Sequence, residues 1–129
     1  KQTGELDNKD YLMRYRNITE LLEDINSHSQ NIDFNDVVAL IDTQFLFTPT
    51  RFTNGSVTNE ANQNHGSCKI LALGRQLALD KSQTLALFGR FYTRDVLANP
   101  QGNDHANIRN FMVSGHDGVT FDSFPLKAR

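Results

Sequence analysis

The chain has 129 residues, 38% of them apolar, with a formal net charge of −2 and a pI near 6.1. That length suits one domain burying roughly two-thirds of its extended surface, and the acidic balance provides no global basic field to hold nucleic acid or an anionic membrane. No apolar run approaches the ~20 residues needed to cross a bilayer, and a single cysteine excludes an internal disulfide.

Residues 1–17 mix both charge signs around Gly4 without a sustained period. They are expected to form a loosely ordered extension to a single domain over 18–129, with Leu6, Tyr11, Leu12, Met13 and Tyr15 available as a short docking segment. Ile18, Leu21, Leu22 and Ile25 then mark one buried face of a helix ending at Ser27. Asp33 is an N-cap for a second helix, whose stripe of Phe34, Val37, Val38, Ile41 and Phe45 runs to about Gln44 before Pro49 closes the helical region. Phe45 to Thr53 alternates aromatic and β-branched residues and reads as an extended edge segment. Val119–Asp122 and Phe124–Leu126 are its candidate partners in a small ribbon.

Asn54 to Lys69 is the most distinctive stretch: between Asn54 and Ser67 only Val57 and Ala61 are apolar. A run so rich in amides either lies in solvent or uses its hydrogen-bonding groups for something specific. The third helix, Ser67 to Leu79, is apolar over most of its circumference and should be central. Asp80 with Gln83 forms a capping-box pattern for a fourth helix stopped by Asn99-Pro100-Gln101-Gly102, with Leu85, Phe88, Gly89, Tyr92 and Val96 on its buried face and Leu87 and Phe91 widening it. The short turn predicts an antiparallel hairpin of these two helices, with Gly74 and Gly89 facing each other. Asn103-Asp104-His105 opens a fifth helix that buries Ile108, Phe111 and Met112 and ends at Gly115. The expected fold is therefore mainly α (α+β), with about five helices, a central helix hairpin and a small β ribbon.

Cys68, in the first turn of the third helix and beside Lys69, is placed for thiolate character, with His65 or His105 as a base in space. The alternative is a small buried hydrophobe, the common role of a lone cysteine. Two helix starts, His65-Gly66-Ser67-Cys68 and Asn103-Asp104-His105-Ala106-Asn107, would together form an amide-rich anion pocket served by Lys69 and Arg109. Mutual capping of loop groups is the competing reading of the same asparagines. Asn54, Asn64, Ser67, Lys69, Asn107 and Arg109 are the candidate ligand-binding residues, and Cys68, His105 and Asp104 the candidate catalytic ones. His65, His105, Asp104 and His116 suit a metal chemically but lack ligand spacing, and His28 lies in a linker, so no metal is expected. Leu77 to Leu85 has a helix-turn-helix look with Arg90 and Arg94 downstream, but the acidic charge and the broadly apolar second helix argue against DNA.

The ordered segments Phe47-Thr48-Pro49-Thr50, Phe52-Thr53-Asn54-Gly55, Asn64-His65-Gly66-Ser67-Cys68-Lys69, Thr84-Leu85-Ala86-Leu87-Phe88-Gly89, Asp95-Val96-Leu97 and Asp104-His105-Ala106-Asn107-Ile108-Arg109 resemble the HopJ type III effector family from about Ile18 onwards. His65 and His116 depart from that family's pattern. The resemblance brings no enzymatic activity, cofactor or catalytic residue with it. It implies a bacterial protein, acting in the bacterial cytoplasm or secreted into a host cell by a type III system. The expectation is a virulence-type effector or binding protein for a small polar or anionic ligand or a protein partner, without cofactor, nucleic acid or membrane. A cysteine enzyme using Cys68 with His105 is the alternative.

Overall fold

The first helix, α1 (Ile18–Ser27), begins where Asn17 accepts from the Glu20 N–H at 2.9 Å, and it buries Leu21 and Ile25. The structure, a computed structural model, describes residues 13–129. The docking segment expected at the N-terminus is represented there by Met13, half-buried, and Tyr15, which is buried and donates its hydroxyl to Asp24 at 2.7 Å. The rest of that expectation, residues 1–12, lies outside the described residues. Helix α2 (Phe34–Gln44) is capped by Asp33 and buries Val37 and Ile41 of the expected stripe together with Leu40, while Phe34 and Val38 are half-buried.

Helix α2 runs directly into β1 (Phe45–Phe47). This strand pairs antiparallel with the C-terminal β5 (Leu126–Ala128), Phe45 opposite Ala128. The next strand, β2 (Phe52–Asn54), is the middle of a three-stranded antiparallel sheet between β3 (Val57–Asn59) and β4 (Val119–Phe121). The expected ribbon is thus present as two small sheets. Strand β3 was hidden in the polar run: Asn54 pairs with Val57, so Gly55-Ser56 is a two-residue hairpin turn with Gly55 at φ +58°.

Helix α3 (His65–Gln76) is the central one, burying Cys68 and every residue from Ile70 to Gly74. Helix α4 (Lys81–Ala86) starts with the Asp80/Gln83 capping box. It folds back on α3 where Gly74 meets Thr84: a Cβ on Gly74 would lie 2.5 Å from Thr84 Oγ1. This corrects the expected Gly74–Gly89 contact. It also shortens the expected fourth helix, because Gly89 sits at φ +59° and breaks it. Gly89 passes under the start of α2, where an added Cβ would come within 2.8 Å of the Ile32 carbonyl oxygen. The chain resumes as a π-helical turn, Phe91–Val96. Helix α5 (Ala106–Ser114) buries Ile108 and Phe111, leaves Met112 half-buried and ends at Gly115. Arg75 fastens the final segment by donating to the carbonyls of His116 (2.9 Å) and Val119 (2.7 Å).

Candidate functional site

The break at Gly89 places aromatic rings on both sides of Phe34. Phe88 stacks with it at 6.3 Å between centroids, and Phe91 meets it edge-on at 5.2 Å. These rings floor a cavity of about 400 Å³. Its polar wall comes from Asn64, Gly66 and Ser67 at the start of α3 and from His105, Ala106 and Asn107 at the start of α5. The two sequence segments singled out as helix starts therefore meet on one concave surface.

Both helices begin in the same unusual way. Asn64 and His105 occupy the N-cap positions with left-handed backbone, φ 53° and 51°, and neither side chain caps its helix. A non-glycine residue in this region is strained by roughly 1–2 kcal/mol. The first intrahelical bonds are Cys68 N–H to Asn64 O and Arg109 N–H to His105 O. The N–H groups of Gly66, Ser67, Ala106, Asn107 and Ile108 have no acceptor among the described residues, and all five residues line the cavity. Free donors of this kind, with the positive end of each helix dipole behind them, form a ready site for negative charge.

The asparagine side chains tie the two starts together. Asn54 Nδ2 donates to the Asn107 carbonyl at 2.8 Å and to Asn107 Oδ1 at 3.1 Å. Asn59 Nδ2 donates to Asn107 Oδ1 at 3.1 Å, and Asn107 Nδ2 returns a bond to Asn59 Oδ1 at 2.9 Å. Asn64 Nδ2 completes the chain on Asn59 Oδ1 at 2.7 Å. Asn54 and Asn59 are fully buried. The fixed orientation of Asn54 leaves its Oδ1 buried without a partner among the described residues, an energetic cost of about 1–3 kcal/mol. Mutual amide bonding, the competing reading of these residues, accounts for Asn54 and Asn59; Asn64 and Asn107 take part in it and also line the cavity.

Among the described residues that line the cavity, His105 is the titratable one. Its Nε2 lies 3.0 Å from Asp95 Oδ2, and its ring stacks on Phe91 at 5.2 Å with 30° between planes. Both partners come from the π-helical turn, a wide turn often found at functional positions. Asp104, expected beside His105, instead binds Arg109 at 2.6 Å and is 3.9 Å from the imidazole. The Arg109 guanidinium holds its carboxyl below the usual value.

Other candidates lie elsewhere. Cys68 is 1% exposed, and burial pushes its thiol up to about 12 against the smaller opposite pull of Lys69. The thiolate expected from a helix start is therefore overridden by desolvation, and Cys68 does not line the cavity. Lys69 pairs with Asp42 at 2.8 Å and lies over the Phe47 ring. Arg109 closes the loop before α5 by donating to the carbonyls of Asn99 (2.9 Å) and Asp104 (2.6 Å). Neither cation reaches the cavity wall. His65 contacts the Ala61 carbonyl and Phe47, while His116 bonds Leu79 O and Thr84. Among the described residues no three His, Cys, Asp or Glu side chains are grouped to hold a metal ion. Sequence reasoning missed Asp95, and it took Phe34, Phe88 and Phe91 for core. The signal was present: Phe91 falls outside the buried stripe of a straight helix, and an interior Gly89 marks where that helix bends away.

The molecule is an α+β domain with two uncapped helix starts opening on a phenylalanine-floored cavity. Among the described residues no helix is long and apolar enough to cross a membrane. The chain belongs to the HopJ type III effector protein family, which it matches over residues 18–126. It is similar to VPA0580, a protein of unknown function whose crystal structure superposes with a TM-score of 0.85 at 49% identity, covering 87% of this chain and 93% of that one. No curated protein matches the chain.

Proposed function

We propose that the cavity binds a small organic anion, its negative head at the starts of α3 and α5 and its apolar or aromatic body on Phe34, Phe88 and Phe91. The observation that carries this reading is the convergence of two uncapped helix starts on one cavity of about 400 Å³. That size falls within the range of small-molecule sites, and each helix start is equivalent to about half a positive charge. Recognition then needs no lysine or arginine in the cavity. The family's description as type III effectors supports a host cell as the place where this binding operates.

Phenylphosphate titrated into isotopically labelled protein should shift the amide signals of Gly66, Ser67, Ala106 and Asn107. Ser67→Glu should abolish this response without lowering the melting temperature, since a carboxylate in the first helical turn supplies the missing anion itself. Shifts confined to the surroundings of Lys69 and Arg109, or unchanged binding in Ser67→Glu, would remove the reading.

A further inference from the structure

The orientation of His105 goes beyond what binding alone requires. A carboxylate accepts and does not donate, so Nε2 carries the hydrogen in its 3.0 Å bond to Asp95. In the neutral ring this leaves the lone pair on Nδ1, which has no partner among the described residues, on a side chain that lines the cavity. The stacked Phe91 fixes the ring plane, and Asp95 fixes its rotation. Beside this base stand the free N–H groups of the two helix starts, suited to an oxygen that gains negative charge. Among the described residues the cavity wall holds no lysine, arginine, aspartate or glutamate. A base, a set of oxyanion donors and an apolar floor are the components of enolisation, which needs neither nucleophile nor redox partner.

We propose that His105 acts as a general base from Nδ1 on a 2-keto acid with an aromatic or bulky apolar substituent at C3. This assignment rests on the anion-binding reading above. The carboxylate is held at one helix start, the ketone oxygen at the other, and the substituent lies on the phenylalanines. Nδ1 takes the C3 proton, the C–H electron pair becomes the C2–C3 double bond, and the ketone π pair moves to oxygen. Return of the proton to oxygen gives the enol; return to C3 restores the ketone. Asp95 is the positioning residue.

The test uses phenylpyruvate in deuterated buffer with the full chain, following loss of the C3 proton signal by NMR and measuring binding separately by saturation transfer. Wild-type protein should exchange the C3 protons on the order of 100-fold faster than His105→Gln. Asp95→Asn should slow exchange by about 10-fold or more while still binding, because its amide can donate to Nε2 and move the ring hydrogen to Nδ1. Thermal melts establish that both variants are folded. If phenylpyruvate binds but wild-type exchange is no faster than that of His105→Gln, the base assignment is overturned and the binding site stands. If phenylphosphate binds and phenylpyruvate does not, the keto-acid class is overturned. If neither binds, both readings fall together.

Discussion

Replacing Asn107 with alanine tests whether the amide chain is what holds the two helix starts together. The substitution removes three side-chain bonds: those from Asn54 and Asn59 at 3.1 Å each, and the one to Asn59 at 2.9 Å. Asn54 keeps the Asn107 carbonyl at 2.8 Å, and Asn59 Oδ1 keeps Asn64 at 2.7 Å. Asn59 Nδ2 fares worst, left with only the Phe52 carbonyl at 3.4 Å in a fully buried position. At about 1 kcal/mol net per bond, plus part of the cost of a nearly unpaired buried donor, the loss should be about 3–4 kcal/mol. For a chain of this length that corresponds to a melting temperature lower by roughly 10 °C or slightly more. Urea unfolding should show a lower midpoint with an unchanged slope. Asn107→Asp should be worse despite its shape, because an oxygen then faces Asn59 Oδ1 where an N–H stood. A loss below about 1 kcal/mol for Asn107→Ala would refute the structural role assigned to the chain.

Gly89→Ala should destabilise by about 3 kcal/mol: roughly 1–2 for the left-handed backbone, and the rest for a Cβ pressed against the Ile32 and Phe34 backbone. A gain in melting temperature would remove the account of the helix break. The second remaining prediction concerns alkaline pH. Burial raises Cys68 from 9.0 to about 12, and burial with the Asp24 hydrogen bond raises Tyr15 from 10.0 to about 12. The folded state therefore holds both protons more tightly, so their contribution is complete below pH 9 and is lost as pH rises towards 12. Urea midpoints between pH 8 and 11 should fall, and Cys68→Ala should delay the onset by about one pH unit; an unchanged onset would show that the thiol is not desolvated.

The helices were legible wherever a cap and an apolar stripe agreed. Asn17, Asp33 and Asp80 all cap where the sequence places helix starts, and Leu21, Val37 and Ile41 are buried as their spacing requires. Periodicity failed at Gly89, since the apolar stripe from Leu85 to Val96 persists through a left-handed residue and outweighed the interior glycine that marks the break. Strand β3 was missed for a related reason. Its residues Val57-Thr58-Asn59 are ordinary for a strand, but Asn59 faces inwards and is satisfied by other amides instead of by apolar packing. The Asn54-Gly55 hairpin signal was in the chain and outweighed by the polarity around it.

The site was half legible, and the division follows from which atoms do which job. Sequence displays side chains, so attention went to the asparagines, the cysteine and the two cations. In the fold the Asn54, Asn59 and Asn107 amides are engaged with one another, Cys68 is sealed in the core, and Lys69 and Arg109 hold Asp42 and the loop before α5. The groups left open on the cavity are backbone N–H donors, which every residue except proline possesses and which only uncapped helix geometry exposes. If the cavity binds an anion as proposed, better capping of those helix starts should oppose binding, since Asn64 and His105 leave the first turn of each helix without a side-chain cap.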